Sequence, residues 1–387
     1  MIVSRRTMLY RKMLKVESEL SILGFGCMRL PMKENGQIDE PHATKMLRYA
    51  IDNGVNYVDT AYIYHNGESE PFVGRALQGG YREKVNLATK LPSWMIKSRE
   101  DMDKYLNEQL KRLQTDHIDF YLVHGLMRQF WDKLRPLKVT EFLDEAINDG
   151  RIRYAGFSFH DELGLFKEIV DAYDWDFCQI QYNFMDEGYQ AGTEGLKYAA
   201  GKGLGIVVME PLRGGMLSKE IPAIGDIWKS APVTRSPTEW ALRWVWNHPE
   251  VTVVLSGMSD WEQVVENIAY AERGLPDSLS QTELDLFDRV KAEYGKRIKV
   301  PCTGCKYCMP CPSGVSIPEC FEMYNTACMF DAPEAAKFSY NIVLGGMLSG
   351  KPEFASQCQE CGECEEKCPQ KIPIRERLLE VVKYFGK

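Results

Sequence analysis

No stretch of this 387-residue chain approaches the roughly 20 consecutive apolar residues that cross a bilayer, so no membrane partner is expected. An excess of basic charge is missing too: 47 Lys and Arg stand against 55 Asp and Glu, a net charge of -8. Such a surface is poorly matched to a phosphate backbone, and no nucleic-acid partner is expected. Low-complexity segments are absent, and the internal repetition is confined to a pair of cysteine runs near the C-terminus. No G-x-G-x-x-G turn follows the first apolar run, which counts against an open doubly wound nucleotide-binding sheet. Ser4-Arg5-Arg6-Thr7-Met8-Leu9 has the look of a twin-arginine export start. However, Tyr10, Arg11, Lys12 and Lys15 stand where the apolar stretch of such a signal begins. What remains is a chain with 44% apolar and 26% charged residues, enough for one large folded domain and a smaller one.

Eight short β-rich runs alternate with amphipathic segments: Leu23–Leu30, Tyr57–Ala61, Val85–Lys90, Ile118–His124, Tyr154–Phe159, Phe177–Tyr182, Gly205–Glu210 and Val251–Ser256. A helix is expected after each, for example Asp101–Leu113 or Pro237–Asn247, the latter with proline at its start. Strand and helix alternating over about 250 residues give an α/β fold, a closed (β/α)8 TIM barrel, with reactive groups at the C-terminal strand ends. A charged helical connector is expected over Leu279–Arg297. The barrel domain is assigned to residues 1–295, and a smaller, mainly helical C-terminal domain to residues 296–387.

Ten of the twelve cysteines fall between Cys302 and Cys368. Cys302-x2-Cys305-x2-Cys308-x2-Cys311-Pro312 and Cys358-x2-Cys361-x2-Cys364-x3-Cys368-Pro369 let three successive thiolates turn inward around one cluster, with a fourth ligand from elsewhere. Zinc is the alternative, since tetrahedral thiolate sites also use C-x2-C pairs; a third cysteine at the same spacing, followed by Cys-Pro, is superfluous for it. Both runs resemble those of bacterial two-cluster ferredoxins, the first with one residue fewer before its last cysteine. That resemblance implies two 4Fe-4S clusters with crossed ligands: Cys302, Cys305, Cys308 and Cys368 on one, Cys358, Cys361, Cys364 and Cys311 on the other. Cys320 and Cys328 are expected as plain helix residues, and Cys27 and Cys178 as buried strand residues. Oxygen-sensitive ligands imply a reducing, cytoplasmic setting.

The second run ends in Asp59-Thr60-Ala61-Tyr62-Ile63-Tyr64, the third in Lys90 and the fourth in His124. Singly, each has a bland structural reading. Together they resemble the Asp, Tyr, Lys, His tetrad of aldo-keto reductases, a likeness extending over about residues 8–290 to Gly24-Phe25-Gly26, Glu68 and Gly156-Phe157-Ser158. The resemblance implies reduction of a small carbonyl, or oxidation of an alcohol, with Tyr64 as proton donor. Lys90 would lower the phenol's pKa, Asp59 would hold Lys90 charged, and His124 would donate to the carbonyl oxygen.

It also implies NADP or NAD laid over the barrel mouth. Ser158 and Gln179 match carboxamide-holding positions, Met209 stands where an aromatic stacks on the nicotinamide, and Glu266 and Asn267 match an acid-amide pair near the adenine. Pro211, Leu212, Gly214 and Gly257 complete the expected cofactor positions. Phe159, followed by His160, replaces the usual asparagine, and Gly257–Gln263 contains no Lys or Arg to meet a 2′-phosphate. Met28, Tyr62 and Trp94 are candidate pocket walls. Two readings follow: a nicotinamide-dependent oxidoreductase whose clusters exchange electrons with a protein partner, or an electron-transfer or redox-sensing module whose barrel is chiefly a docking platform. Hydride carries two electrons and a cluster one, and no sequence signal for flavin bridges them.

Overall fold

The computed structural model of the chain describes residues 8–346 and 350–387. Ser4–Thr7 of the twin-arginine-like start lie outside the described residues. The chain divides into two compact units: residues 8–213 with 238–279, and residues 214–237 with 280–387.

In the first unit, eight parallel strands close into a barrel. They are Leu23–Gly26, Tyr57–Asp59, Asn86–Leu91, Ile118–Leu126, Ile152–Phe159, Phe177–Gln181, Gly205–Met209 and Val251–Ser256. The eighth strand meets the first, with Val254 opposite Leu23 and Ser256 opposite Phe25. Barrel strands are covered on both faces, which is why they read as nearly continuous apolar runs. Inside, Phe120 packs its ring against Tyr57 at 5.1 Å and Phe177 at 5.0 Å. The expected first strand is shorter than its apolar run, because Cys27–Arg29 turn into a 3-10 helix. Cys27 is therefore buried in a turn, not on a strand, whereas Cys178 is buried on the sixth strand as expected.

A short antiparallel hairpin, Tyr10–Arg11 with Leu20–Ser21, precedes the barrel and was not foreseen. Its loop plugs the N-terminal end: Met13, Val16 and Leu20 are buried in one cluster with Tyr57, Phe120 and Phe177. Gly205 makes room for it, since a Cβ there would lie 2.1 Å from the Met13 sulfur.

The helix expected over Asp101–Leu113 runs from Arg99, started by a capping box of Ser98 and Asp101. It buries Met102, Tyr105, Leu106, Gln109 and Leu113. Helix Ser69–Ala76 lies against it at Gly74, where a Cβ would stand 2.5 Å from the Arg112 carbonyl oxygen.

The second unit is helical, as expected, with Gln281–Gly295, Ile317–Met329, Pro333–Leu344 and Ile374–Phe385 as its longer helices. The connector helix begins at Gln281, where Ser280 and Glu283 form a capping box. Its core gathers Val300, Phe321, Tyr340 and Phe385, with Tyr340 stacked on Phe385 at 4.4 Å. Helix Pro222–Lys229 belongs to the same unit, packing Trp228 against Phe287 at 5.1 Å. Among the described residues no helix is long and apolar enough to cross a membrane.

Candidate active site and thiol cavities

Three strand ends and one turn bring the tetrad together. Lys90, fully buried on the third strand, donates from Nζ to both carboxylate oxygens of Asp59, at 2.7 and 2.8 Å, and to the Thr60 carbonyl at 2.8 Å. Tyr64 Oη lies 3.5 Å from the same Nζ. The tyrosine opens a short turn, Tyr64–Gly67, in which His65 and Asn66 take left-handed φ of 53° and 57°. His65 Nε2 accepts from the Leu30 backbone N–H at 3.2 Å and ties that turn to the first strand's exit. His124 sits within the fourth strand, two residues before its end, with its ring edge-on to Tyr64 at 6.2 Å. Trp94 flanks His124 at 5.0 Å, and Trp94 and Met28 are both exposed at these strand ends. Tyr62 is no pocket wall: its hydroxyl donates to Glu108 and Arg112 covers its ring at 4.0 Å.

A buried polar layer fixes the third strand behind Lys90. Glu70, with no exposed surface, accepts from Thr89 Oγ1 and from Gln109 Nε2, both at 2.6 Å. Gln109 Nε2 also donates to the Lys90 carbonyl at 3.0 Å, while Tyr121 Oη donates to Gln109 Oε1 at 2.8 Å. Glu68, one of the residues to which the family likeness extends, is exposed. Glu70 carried a signal of its own, sharing a helix face with buried Val73 and Leu77.

In the second unit, six of the eight motif cysteines are half-buried, while Cys305 and Cys361 are exposed. Two cavities, each open in part to solvent, lie among them. One is lined by Cys302, Cys305, Cys308 and Cys368. The other is lined by Cys308, Cys311, Cys358, Cys361 and Cys364. Cys368 thus stands with the first run and Cys311 with the second. Cys320 and Cys328 lie on helix Ile317–Met329.

Residues 22–285, well over half of the chain, match the Aldo/keto reductase family. The chain belongs to the aldo/keto reductase family. Residues 301–372 match the 4Fe-4S dicluster domain, which resolves the zinc alternative in favour of iron and sulfide. The oxidoreductase YrpG of Bacillus subtilis strain 168 is 28% identical over 295 residues, covering 64% of this chain and 88% of the relative. The aldo-keto reductase YhdN of that organism is 36% identical over 150 residues, 36% of this chain and 44% of the relative. Among solved structures, the holo form of aldo-keto reductase AKR11C1 from Bacillus halodurans aligns with a TM-score of 0.62 and 28% identity. That alignment covers 73% of this chain and 96% of the other. The chain is accordingly an oxidoreductase that carries an aldo/keto reductase barrel and an iron-sulfur domain.

Around the mouth of this aldo/keto reductase, Ser158 is buried and its Oγ accepts from the Gly125 N–H at 2.7 Å. Gln179, opposite Ser158 in the strand register, places Nε2 3.4 Å from the Met209 sulfur. Its Oε1 is buried without a hydrogen-bond partner, as is Nδ1 of His124. A buried acceptor without a donor is costly unless a ligand supplies one, and a primary carboxamide carries two N–H donors. The mouth therefore fits a nicotinamide. Pro211 is buried, Leu212 and Gly257 are half-buried, and Glu266 is exposed. Asn267 is turned inward, donating to Ser256 Oγ at 3.0 Å. Gly214, with φ of 67°, opens the segment that belongs to the second unit. Gly257–Gln263 lacks basic residues of its own, but the Arg29 stem packs on Gly257 and Lys45 lies 4.4 Å over the Trp261 ring.

Burial dominates the electrostatics. It pulls the Lys90 pKa down, but Asp59 and Tyr64 together pull harder, and the ammonium is held above its ordinary value. The Tyr64 phenol is raised by burial more than Lys90 lowers it, so the expected net depression is reversed. Burial, then the Lys90 and His160 charges, push His124 well below the ordinary histidine range, leaving a neutral imidazole.

Proposed function

We propose that the barrel carries out nicotinamide-dependent reduction of a small carbonyl, or the reverse oxidation of an alcohol, while the C-terminal domain holds two 4Fe-4S clusters that exchange electrons with a partner protein. The observation that carries this reading is the buried Lys90 ammonium between the Asp59 carboxylate and the Tyr64 hydroxyl. A nicotinamide dinucleotide bound at the mouth supplies the hydride. Tyr64 gives its proton to the oxygen as negative charge develops there, and Lys90 stabilises the phenolate left behind. Asp59 keeps Lys90 charged and aimed. Neutral His124 donates a hydrogen bond to the carbonyl oxygen and positions it, with exposed Trp94 and Met28 as apolar walls.

Ser158 and Gln179 hold the carboxamide, Met209 packs on the ring, and Pro211, Leu212, Gly257, Glu266 and Asn267 extend the cofactor groove. Arg29 and Lys45 favour NADP, since each offers a cation where a 2′-phosphate gains from one. The crossed ligand sets, Cys302, Cys305, Cys308, Cys368 and Cys358, Cys361, Cys364, Cys311, are supported by the grouping of thiols around the two cavities. The division of labour falls at residues 1–295 for carbonyl chemistry and 296–387 for the clusters. A chain with these ligands works in the reducing cytoplasm.

The test is anaerobic purification, assay of iron and acid-labile sulfide, and titration with NADPH and NADH while the cluster absorbance is followed. The reading expects about eight irons per chain, from two four-iron clusters, and turnover of small aldehydes that Tyr64→Phe lowers by at least about 100-fold with iron content intact. Turnover unchanged in Tyr64→Phe would sink the carbonyl-reductase reading and leave the barrel as a docking platform for an electron-transfer module.

A further inference from the structure

The second thiol run, residues 358–368, is tied to the last helix, Ile374–Phe385, by one residue near that helix's start. Arg375 donates to Glu365 twice: its backbone N–H reaches Oε1 at 2.9 Å and its guanidinium Nη2 reaches Oε2 at 2.8 Å. Its Nη1 donates to the Glu360 carbonyl at 3.5 Å. Glu360 precedes Cys361 and Glu365 follows Cys364, so one side chain grips both ends of segment 361–364. Gly362 lies inside that segment with a φ of 84°, and a Cβ there would stand 3.7 Å from the guanidinium carbon. The Glu360 backbone takes a left-handed φ of 55°, and its N–H donates to Cys358 Sγ at 3.4 Å.

Three charged residues line the cavity shared by Cys358, Cys361 and Cys364: Glu363, Lys367 and Arg375. Glu363 and Lys367 answer each other at 4.0 Å, which leaves Arg375 as the surplus cation. Glu365, its partner, is not among the lining residues, so the ion pair turns its positive end to the cavity. A 4Fe-4S cluster that takes up one electron gains one unit of negative charge, which a neighbouring cation favours. We propose that Arg375 is a positioning residue that holds segment 361–364 against the last helix, and that its charge raises the reduction potential of the cluster held by Cys358, Cys361 and Cys364. This inference rests on the two-cluster reading of the C-terminal domain. Lysine at this position keeps the charge and loses the planar fork, whereas glutamine loses the charge.

The experiment is a redox titration of the full-length, anaerobically purified protein with dithionite and mediators, followed by electron paramagnetic resonance, with iron and acid-labile sulfide assayed on every sample. The second cluster's signal is identified as the one lost in Cys358→Ser and kept in Cys302→Ser. Arg375→Gln should lower the midpoint of that signal and leave the other in place. The expected size is about a tenfold change in the reduced-to-oxidised ratio, about 59 mV for one electron. High salt should shrink the shift, since the arginine side chain is 45% exposed. Arg375→Lys should hold the midpoint near that of the wild-type chain. Glu365→Gln leaves the guanidinium without its carboxylate and should raise the midpoint; it decides the matter if Arg375→Gln loses the second cluster. Loss of that cluster from Glu365→Gln as well would make the pair a structural brace and overturn the proposal. Equal shifts of both signals, a shift of neither, or Arg375→Lys falling with Arg375→Gln would overturn it too, the last because the fork and not the charge then matters. A wild-type chain that binds about four irons or none would instead remove the two-cluster reading, and this inference with it.

Discussion

Lys90 and Asp59 form an ion pair with almost no exposed surface, each side chain 4% exposed or less, and that burial gives a sharp expectation for a double-mutant cycle. Lys90→Met leaves a buried carboxylate whose two oxygens have both lost their ammonium donor. Asp59→Asn leaves a buried ammonium with the Thr60 carbonyl as an uncharged partner. Removing one member of a buried pair costs about 3–5 kcal/mol, because the other charge stays desolvated and uncompensated. Simple addition would put the double variant about 6–10 kcal/mol down. It strands no charge, however, and should lose about 3 kcal/mol less than the sum, a coupling at the upper end of the usual range. The assay is urea unfolding of the anaerobically purified chain, read by far-UV circular dichroism. Lys90 has its pKa raised in the folded state, so its contribution is complete below the unfolded value of about 10.4 and lost as pH rises through the folded one. Asp59 runs the other way: its raised folded pKa means that its penalty sets in as pH rises above about 3.9. At pH 7–8 both groups are charged and the cycle reads the whole pair. Single losses that add up to the double within about 0.5 kcal/mol would refute a buried, mutually dependent pair.

The crossed thiol grouping predicts that Cys368→Ser abolishes the same cluster signal in electron paramagnetic resonance as Cys302→Ser, and that Cys311→Ser matches Cys358→Ser. Matching losses within each run, Cys368 with Cys358 and Cys311 with Cys302, would show uncrossed wiring instead. His124, His160 and His248 all have pKa values lowered by burial, so at these three sites the folded chain binds fewer protons than the unfolded chain below pH about 6.5. Urea midpoints should fall as pH drops from about 6.5 toward 5, and His124→Asn should flatten part of that slope. A midpoint independent of pH over that range would contradict the burial of these rings.

The barrel was legible because its strands are covered on both faces and appear in sequence as compact apolar runs separated by helical spacing. The same signal overshot at Leu23–Leu30, where Cys27 and Met28 are apolar enough to extend a strand that the backbone ends at Gly26. The hairpin plug was illegible: its strands are two residues long, and Met13 and Val16 acquire partners only once the barrel floor exists. In the site, Asp59, Lys90 and His124 were visible as titratable residues at the ends of apolar strands. The acidity of Tyr64 was not, since neighbours can be counted from sequence while the opposing desolvation requires the folded surroundings. Glu70 was missed because its partners, Thr89 and Gln109, come from two other elements. The thiol runs needed no tertiary information to be recognised, but the company kept by Cys311 and Cys368 did.

The two halves of the proposed chemistry count electrons differently, and the thiol cavities bear on how they meet. A hydride carries two electrons and a cubane takes one, so a single cluster would stall after half a turnover, whereas two clusters match one hydride in number. Cys308 lines both cavities, which places the two proposed cluster sites side by side, so that an electron entering at one can move to the other and free it for the second. Matching in number does not supply a one-electron step at the barrel, where Tyr64, Lys90 and His124 handle protons and hydrogen bonds only. That step falls to a substrate able to hold a single electron, to a partner that splits the pair, or to a part of the chain other than these three residues. The nucleotide titration separates the cases: bleaching of the clusters by NADPH alone would mean that the chain splits the pair unaided, and bleaching only after a carbonyl or alcohol is added would assign the split to the substrate.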